Sequence, residues 1–137
     1  MKAYVDSSVL MRLVLGEAGK LAQWGSFRSA STSALAEVEC LRTLDRLSLR
    51  GALSLDDLAD RRAAVYGLLE DIEVLGMDRA VLARAAQPFP TPLTTLDAIH
   101  LATAILSREL DGPNVFATHD VALAKAARSV GFGVVGA

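Results

Sequence analysis

The chain has 137 residues, which is the usual size of one domain and leaves no room for a second. Hydrophobic residues make up 52% of it and charged residues 22%, a composition that excludes a disordered tail or a solvating linker. The 14 Lys and Arg residues against 16 Asp and Glu residues leave a net charge of -2, so a uniformly basic surface that coats nucleic acid is excluded as well.

Cysteine content and hydropathy indicate the cellular compartment. The one cysteine, Cys40, cannot form an internal disulfide or a cysteine-based zinc site, which favours a reducing environment. Asp6 and Arg12 interrupt the apolar run that a signal peptide needs, and no stretch approaches the roughly 18 apolar residues of a membrane span. We therefore predict a cytoplasmic protein with no membrane association.

The first half of the chain predicts two strands and three helices. They are a strand at 3–5, a helix at 7–15, a weak strand at 27–31, a helix that begins after Thr32 or Ser33 and ends before Gly51, and a helix at 55–70. Ser54 and Asp57 form a capping box for the last of these. Apolar residues repeat every three positions along the long middle helix and predict one apolar face. They are Leu35, Val38, Leu41, Leu44 and Leu47.

The second half continues the alternation of short strands and longer helices. Its predicted elements are a strand at 72–75, a helix at 78–86 capped by Asp78, a proline-rich loop at 87–92, a nearly all-apolar helix at 96–110, a strand at 114–117, a helix at 120–130 and a strand at 134–135. Such alternation predicts an α/β fold with a mostly parallel central sheet flanked by helices, as a single domain over 1–137.

Acidic residues follow the predicted strands or begin the predicted helices. Asp6 ends the first strand, Asp120 follows the strand at 114–117, Asp97 lies in the first turn of the central helix and Glu37 lies early in its own helix. Because the carboxyl ends of parallel strands share one edge of a sheet, we expect these side chains to meet there. Clustered carboxylates repel one another unless a cation binds them, and all-oxygen ligands favour Mg²⁺ or Mn²⁺. That chemistry suits phosphodiester hydrolysis.

Each acid also has a purely structural explanation. Asp6 could cap the helix that follows it, Thr94 and Asp97 fit a capping box, and Asp120 falls in the first turn of a helix that Thr118 could cap. Glu39 is an alternative to Glu37, and since two residues of helix turn a side chain by about 200°, only one of them can point at the site. We favour Glu37.

Four segments taken together resemble those of PIN-domain ribonucleases, in particular the VapC-type toxins of prokaryotic toxin–antitoxin pairs. They are the strand and acid in Tyr4-Val5-Asp6-Ser7-Ser8-Val9, the helix acid in Ser33-Ala34-Leu35-Ala36-Glu37-Val38, the central Leu96-Asp97-Ala98-Ile99-His100-Leu101-Ala102-Thr103-Ala104, and the closing Thr118-His119-Asp120. Each segment is short, but their order and spacing span nearly the whole chain. The resemblance thus implies a PIN-like domain.

The resemblance also implies a function and a set of site residues. Asp6, Glu37, Asp97 and Asp120 would bind Mg²⁺ or Mn²⁺, and Ser7 or Ser8 together with Thr118 would support them. The activity would be metal-dependent endoribonuclease cleavage of RNA by the toxin of a type II toxin–antitoxin system. The family further implies a homodimer and inhibition by a cognate VapB-type antitoxin protein.

Basic and histidine residues supply further candidates. Arg42, Arg46 and Arg50 repeat at four-residue spacing and are predicted to contact RNA phosphates, against the alternative of a solvated face. His100 follows Asp97 by three residues and is either a hydrogen-bonded core residue or a neighbour of the site, and the role of His119 is open. Rival functions are a receiver-like domain, for which Asp6 lacks an acidic neighbour, and a catalytically silent PIN-like binding domain.

Overall fold

The computed structural model describes all residues from 1 to 137 and contains five strands and six α-helices. In chain order they are β1 (Lys2–Val5), α1 (Ser7–Leu15), β2 (Ser29–Ser33), α2 (Ala34–Leu49), α3 (Leu55–Glu70), β3 (Glu73–Leu75), α4 (Arg79–Ala85), α5 (Thr95–Asp111), β4 (Val115–Ala117), α6 (Val121–Ser129) and β5 (Gly133–Val135). Every predicted strand and helix is present, and β2 shows the largest displacement, two residues. None of the helices has both the length and the apolarity needed to cross a membrane.

The strands form one sheet in the order β3-β2-β1-β4-β5, and every neighbouring pair is parallel. The chain first builds outward from β1 through β2 to β3, and then α4 and α5 carry it back across the sheet to β4 and β5. The predicted α/β fold with a parallel sheet is therefore confirmed. The strand order reverses between β1 and β4, and in open α/β sheets that switch point is where ligands bind.

The two faces of the sheet carry separate apolar cores, because successive strand residues point to opposite faces. Val5 and Ala117 lie side by side in β1 and β4 and pack with α1, α2 and α3. Tyr4 and Phe116, one residue earlier, pack with α5 and α6 on the other face. Helices thus cover both faces, which is the usual state of a parallel sheet.

The buried face of α2 differs from the predicted one. Its fully buried residues are Leu35, Ala36, Cys40 and Leu44, whereas Val38 is 53% exposed, so the prediction that Val38 faces the core is wrong. The small residues Ala36 and Cys40 line up with Leu44 at four-residue spacing and pack in one core with Val5 and Ala117 of the sheet. The prediction considered only the large apolar residues of α2, so it placed the buried face to one side of this stripe.

Candidate active site

Asp6 lies at the switch point of the sheet, directly after β1. Since β1 and β4 pair side by side up to their last residues, Asp6 and Thr118 leave the sheet next to each other. The Thr118 hydroxyl donates to Asp6 Oδ2 at 2.5 Å, the Ser8 hydroxyl donates to Oδ1 at 2.6 Å, and the Val9 backbone N–H donates to Oδ1 at 3.2 Å. Asp6 therefore caps α1, as the structural explanation expected, and is also bonded to the neighbouring strand end.

Burial dominates the electrostatics of Asp6, which is only 3% exposed. Desolvation raises the pKa of Asp6, and the hydrogen bonds from Ser8 and Thr118 counteract part of that rise. Each carboxylate oxygen accepts about two hydrogen bonds, so Oδ1 is fully engaged while Oδ2 keeps one free lone pair. The side chain is therefore fixed in place with one position left for a further ligand.

Asp97 and Asp120 lie at the N-termini of α5 and α6. The Asp97 backbone N–H donates to the hydroxyl of the N-cap residue Thr94 at 3.4 Å. Asp120 is itself the N-cap of α6, where its Oδ1 accepts the Leu123 N–H at 2.8 Å. Thr118, the other candidate cap, instead accepts the Asp120 N–H at 3.0 Å. Asp97 is half-buried and Asp120 is exposed.

Asp97 is buried in part and lies within the electrostatic reach of the other two aspartates. The pKa of Asp97 is raised first by burial and then by the negative charges of Asp120 and Asp6, while Thr94 and His100 lower it. Three separate loops thus bring carboxylates to one place at the carboxyl edge of the sheet. They do not close around a common point, because no three His, Cys, Asp or Glu side chains lie at metal-binding distances.

The two glutamates of α2 lie in different surroundings. Glu39 Oε1 lies 2.5 Å from Nε2 of His100 on α5. Glu37, in the first turn of α2, takes part in none of the ion pairs, which are Lys2–Asp111, Arg42–Asp45 and His100–Glu39. The difference follows from the helical rotation of about 200° between them, which leaves the two acids on opposite sides of the buried Ala36–Cys40–Leu44 stripe.

The charge of Glu39 also acts on the buried thiol of Cys40, its neighbour on α2. Burial raises the pKa of Cys40 to about 12, and the charges of Glu39 and Asp6 add to that rise. Both acids therefore lie near the same buried thiol. Of the two glutamates, Glu39 is the one that bonds His100 and whose charge acts, together with that of Asp6, on Tyr4 and Cys40.

Tyr4 is a polar residue near the site that the sequence analysis did not single out. Its hydroxyl lies 2.6 Å from Nδ1 of His100, and both side chains are almost completely buried. Burial raises the pKa of Tyr4 well above its ordinary value, and the charges of Asp6 and Glu39 add to the effect. One signal was available in the sequence: a lone hydroxyl in a buried strand needs a hydrogen-bond partner, and His100 was the unassigned buried polar group.

Ser7 and Ser8 differ in their relation to Asp6, since the hydroxyl of Ser8 bonds its carboxylate and that of Ser7 does not. Ser8 also accepts the backbone N–H of His119 at 2.9 Å, while Nδ1 of that histidine lies 2.9 Å from the carbonyl oxygen of Gly136. Gly136 has a φ of 96°, and a Cβ there would lie 2.5 Å from the Thr118 carbonyl oxygen. The C-terminal segment thus packs directly against the loop after β4.

The three arginines of the predicted RNA-contacting stripe are exposed on α2. Arg42 lies 3.7 Å from the Asp45 carboxylate, and Arg46 donates to the Thr43 hydroxyl at 3.1 Å. Arg50 is the C-cap of the helix. Exposed ion pairs of this kind contribute little to stability, so these cations remain available to an anionic ligand.

Comparison with known proteins gives the same fold and family. The family model described as PIN domain matches residues 3–129. The ribonuclease VapC47 of Mycobacterium tuberculosis is 34% identical over 94% of this chain and 92% of its own length. A toxin–antitoxin complex from Klebsiella pneumoniae has a chain with a TM-score of 0.69 at 17% identity, covering 97% of this chain and 95% of that one. The crystal structure of Mycobacterium tuberculosis VapC20, titled a sarcin-ricin loop cleaving toxin, has a TM-score of 0.65 at 18% identity, covering 90% of this chain and 94% of that one. With a family match over almost its whole length and a relative above 30% identity, the chain belongs to the PIN-domain family.

Proposed function

We propose that this protein is an endoribonuclease that hydrolyses RNA phosphodiester bonds and requires Mg²⁺ or Mn²⁺. The observation that carries the proposal is the convergence of Asp6, Asp97 and Asp120 at the switch point of the sheet, where burial, and after it the charges of Asp120 and Asp6, raise the pKa of Asp97. Like charges gathered from three separate loops cost stability, and a cation removes that cost. The relative VapC47, which is called a ribonuclease, supports the proposal through its similarity over 94% of the chain.

The donor set fits a hard divalent cation in its chemistry. Carboxylate oxygens are the ligands that Mg²⁺ and Mn²⁺ prefer, and no thiolate or imidazole pair competes for a softer metal. We propose that Asp6, Glu39, Asp97 and Asp120 bind it, with Glu39 in the place that the sequence analysis assigned to Glu37. When bound, such an ion lowers the pKa of an attacking water and neutralises charge that develops on the phosphate.

The protein's own contribution is to fix and orient the acids. The hydroxyls of Ser8 and Thr118 hold the Asp6 carboxylate so that the free lone pair of Oδ2 has one direction. Burial of Asp6 excludes competing water and strengthens its attraction for a cation, because electrostatic interactions gain strength in a low-dielectric site. We therefore propose that Ser8 and Thr118, and not Ser7, supply the hydroxyls that support Asp6.

The arginine stripe gives the RNA strand a direction along α2. At 100° per residue, Arg46 and Arg50 lie within about 20° of Glu39 around the helix axis, and Arg42 lies within about 60° of it. The stripe extends about 16 Å from Glu39 toward the C-terminus of α2. We propose that these guanidinium groups contact phosphates of the strand that flank the cleaved bond.

We further propose that the protein is the toxin of a type II toxin–antitoxin pair, acts as a homodimer and is inhibited by a VapB-type antitoxin. The fold shared with a chain of the Klebsiella pneumoniae toxin–antitoxin complex supports this role. The test is expression in a bacterial host: the protein is expected to arrest growth, and co-expression of a small protein encoded immediately upstream is expected to restore it. Growth arrest that no neighbouring gene relieves would contradict the toxin role alone.

Cleavage of a pool of RNA oligonucleotides of randomised sequence tests the nuclease itself. We expect internal cleavage with Mg²⁺ or Mn²⁺ and none with EDTA, and a loss of about 100-fold or more in Asp6→Asn and Asp97→Asn. Asp111→Asn is the matched control, because Asp111 lies at the other end of α5 and pairs with Lys2. Equal rates in all four proteins would reject the proposal.

A catalytically silent binding domain is the second candidate, and one observation favours it: no three potential ligands are already at metal-binding distances. This alternative predicts that the protein binds RNA without cleaving it and that Mn²⁺ does not change its unfolding temperature. The receiver-like alternative has no such support, since the strand order 3-2-1-4-5 differs from the 2-1-3-4-5 order of receiver folds.

A further inference from the structure

We propose that Tyr4 and His100 are positioning residues that orient the Glu39 carboxylate toward the cation site. The proposal rests on the proposed function, because it concerns how one of the metal-binding acids is aimed. It assigns a role to two buried side chains that touch neither the RNA nor the cation themselves.

The geometry forms one continuous chain of hydrogen bonds from the sheet to the acid. The Tyr4 hydroxyl lies 2.6 Å from Nδ1 of His100, and Nε2 of the same ring lies 2.5 Å from Glu39 Oε1. The three residues come from β1, α5 and α2, so the chain joins elements that are far apart in sequence. A side chain of α2 is thereby fastened to the central strand.

The direction of the bond to Glu39 does not depend on the charge of the histidine. An ionised carboxylate only accepts hydrogen bonds, so Nε2 must carry the proton between them. In a neutral ring, Nδ1 then accepts from the Tyr4 hydroxyl, and in a charged ring it donates to the Tyr4 oxygen. Both forms keep both bonds, and Glu39 Oε2 stays free for a ligand.

Packing makes the chain rigid. The Tyr4 ring stacks on Phe116 with centroids 5.1 Å apart and meets the His100 ring edge-on at 5.9 Å. Tyr4 and His100 are 0% and 1% exposed, so neither can exchange its partner for water without moving the core.

The hydrogen-bond chain also connects Glu39 with the elements that carry Asp6 and Asp97. Tyr4 stands two residues before Asp6 on β1, and His100 stands three residues after Asp97, on the same side of α5. One strand therefore positions Asp6 directly and Glu39 through two side chains. Partners of this kind behind a metal ligand change metal affinity by about 10- to 100-fold when they are removed.

The experiment compares Mn²⁺ affinity, measured by electron paramagnetic resonance titration, with unfolding temperature in a set of variants. His100→Leu removes both hydrogen bonds, and His100→Gln keeps an N–H donor near the Nε2 position. Tyr4→Phe removes only the hydroxyl, and Tyr66→Phe is its matched control, because Tyr66 is the other tyrosine and is 43% exposed. Glu39→Gln gives the reference for loss of the acid.

We expect the Mn²⁺ dissociation constant to rise about 10- to 100-fold in His100→Leu and about 3- to 10-fold in Tyr4→Phe, with His100→Gln recovering most of the loss. Tyr66→Phe should match the parent. A purely structural role would instead lower the unfolding temperature and leave the affinity of the folded protein unchanged. If His100→Leu does not fold, Tyr4→Phe and His100→Gln still decide the question.

Three results would overturn the proposal, and they are distinguishable. Parent-like Mn²⁺ affinity in folded Tyr4→Phe and His100→Leu, together with loss in Glu39→Gln, would remove the positioning role and leave the proposed function intact. Parent-like affinity in Glu39→Gln together with loss in Asp97→Asn would remove Glu39 from the site. A parent protein that binds no Mn²⁺ and cleaves no RNA would end the proposed function and this inference together.

Discussion

The acids of the candidate site fall into two pairs that are held differently. Asp6 and Glu39 accept hydrogen bonds from residues far away in sequence. The donor to Asp6 is Thr118, directly after β4, and the donor to Glu39 is His100 on α5. The Asp120 carboxylate accepts a hydrogen bond from the first turn of its own helix, and Asp97 bonds its N-cap residue Thr94 through its backbone N–H alone. The first pair therefore depends on tertiary structure, and the second would keep its geometry in any protein that formed the same two helix N-termini.

The comparison suggests a division of work. In the proposed site, Asp6 and Glu39 have side chains fixed by distant partners, whereas burial and then the charge of Asp120 raise the pKa of Asp97. We expect the proposed cation to bind most strongly to Asp6 and Glu39, whose side chains are already fixed. Its charge would also reduce the repulsion between Asp97 and Asp120. Substitutions can separate these contributions.

The largest expected effect is on catalysis, at the two acids of α2. Glu39→Gln should lower the rate of RNA cleavage about 100-fold because it removes a proposed charged ligand, whereas Glu37→Gln should change the rate less than about twofold because Glu37 forms none of the ion pairs and does not bond His100. Single-turnover cleavage with Mn²⁺ measures both. A larger loss of rate in Glu37→Gln than in Glu39→Gln would assign the metal-binding role to Glu37. It would also contradict the grouping of Glu39 with Asp6.

The next effect is on stability without metal. Asp6→Ala leaves the hydroxyls of Ser8 and Thr118 and one backbone N–H without their acceptor, so the free energy of unfolding should fall by about 2 kcal/mol even after the buried charge is relieved. Asp120→Ala, which loses one exposed helix cap, should cost about 1 kcal/mol. Urea unfolding in EDTA compares them. Equal losses would show that the distant hydrogen bonds do not distinguish the two pairs.

A smaller effect is expected on RNA binding along α2. Arg46→Ala should weaken binding about threefold and reduce the slope of log affinity against log salt by about 0.7, as for the loss of one phosphate contact. Fluorescence anisotropy over a salt series, in the Asp97→Asn background to prevent cleavage, measures the change. Arg62→Ala is the control, since Arg62 is exposed on α3. An unchanged salt slope in Arg46→Ala would remove α2 from the RNA path.

The smallest effect concerns the pH dependence of the repelling pair. Because the pKa of Asp97 is raised in the folded protein, its ionised form costs stability at neutral pH, and that cost disappears as pH falls through the raised pKa. Asp97→Asn should therefore raise the unfolding temperature in EDTA by about 1–2 °C at pH 7.5, and the difference should vanish toward pH 4. Calorimetry across that range tests it, with Asp111→Asn as the control. A variant less stable than the parent at pH 7.5 would contradict the raised pKa of Asp97.

Much of the fold could be predicted because its signals are local. Ser54, Asp78 and Thr94 each cap the helix that follows them, and Asp6 marks the end of the first strand. The predicted position of β2 was two residues too early because its sequence, Ser-Ala-Ser-Thr-Ser, contains no large apolar side chain that marks a strand. Its register with β1, set by backbone pairing, decided the position.

The amino-acid sequence by itself determined the order of strands and helices, the helix caps and the three aspartates at strand ends and helix starts, because each of these depends on residues within a few positions. The tertiary structure decided which glutamate of α2 bonds His100, and our proposal that Glu39 belongs to the site rests on that contact. That choice depends on the rotation of one helix against the sheet, set by close packing of Ala36 and Cys40, and on a histidine 61 residues further along the chain. Contacts between distant segments leave no periodic trace in a sequence, so only the folded chain shows them.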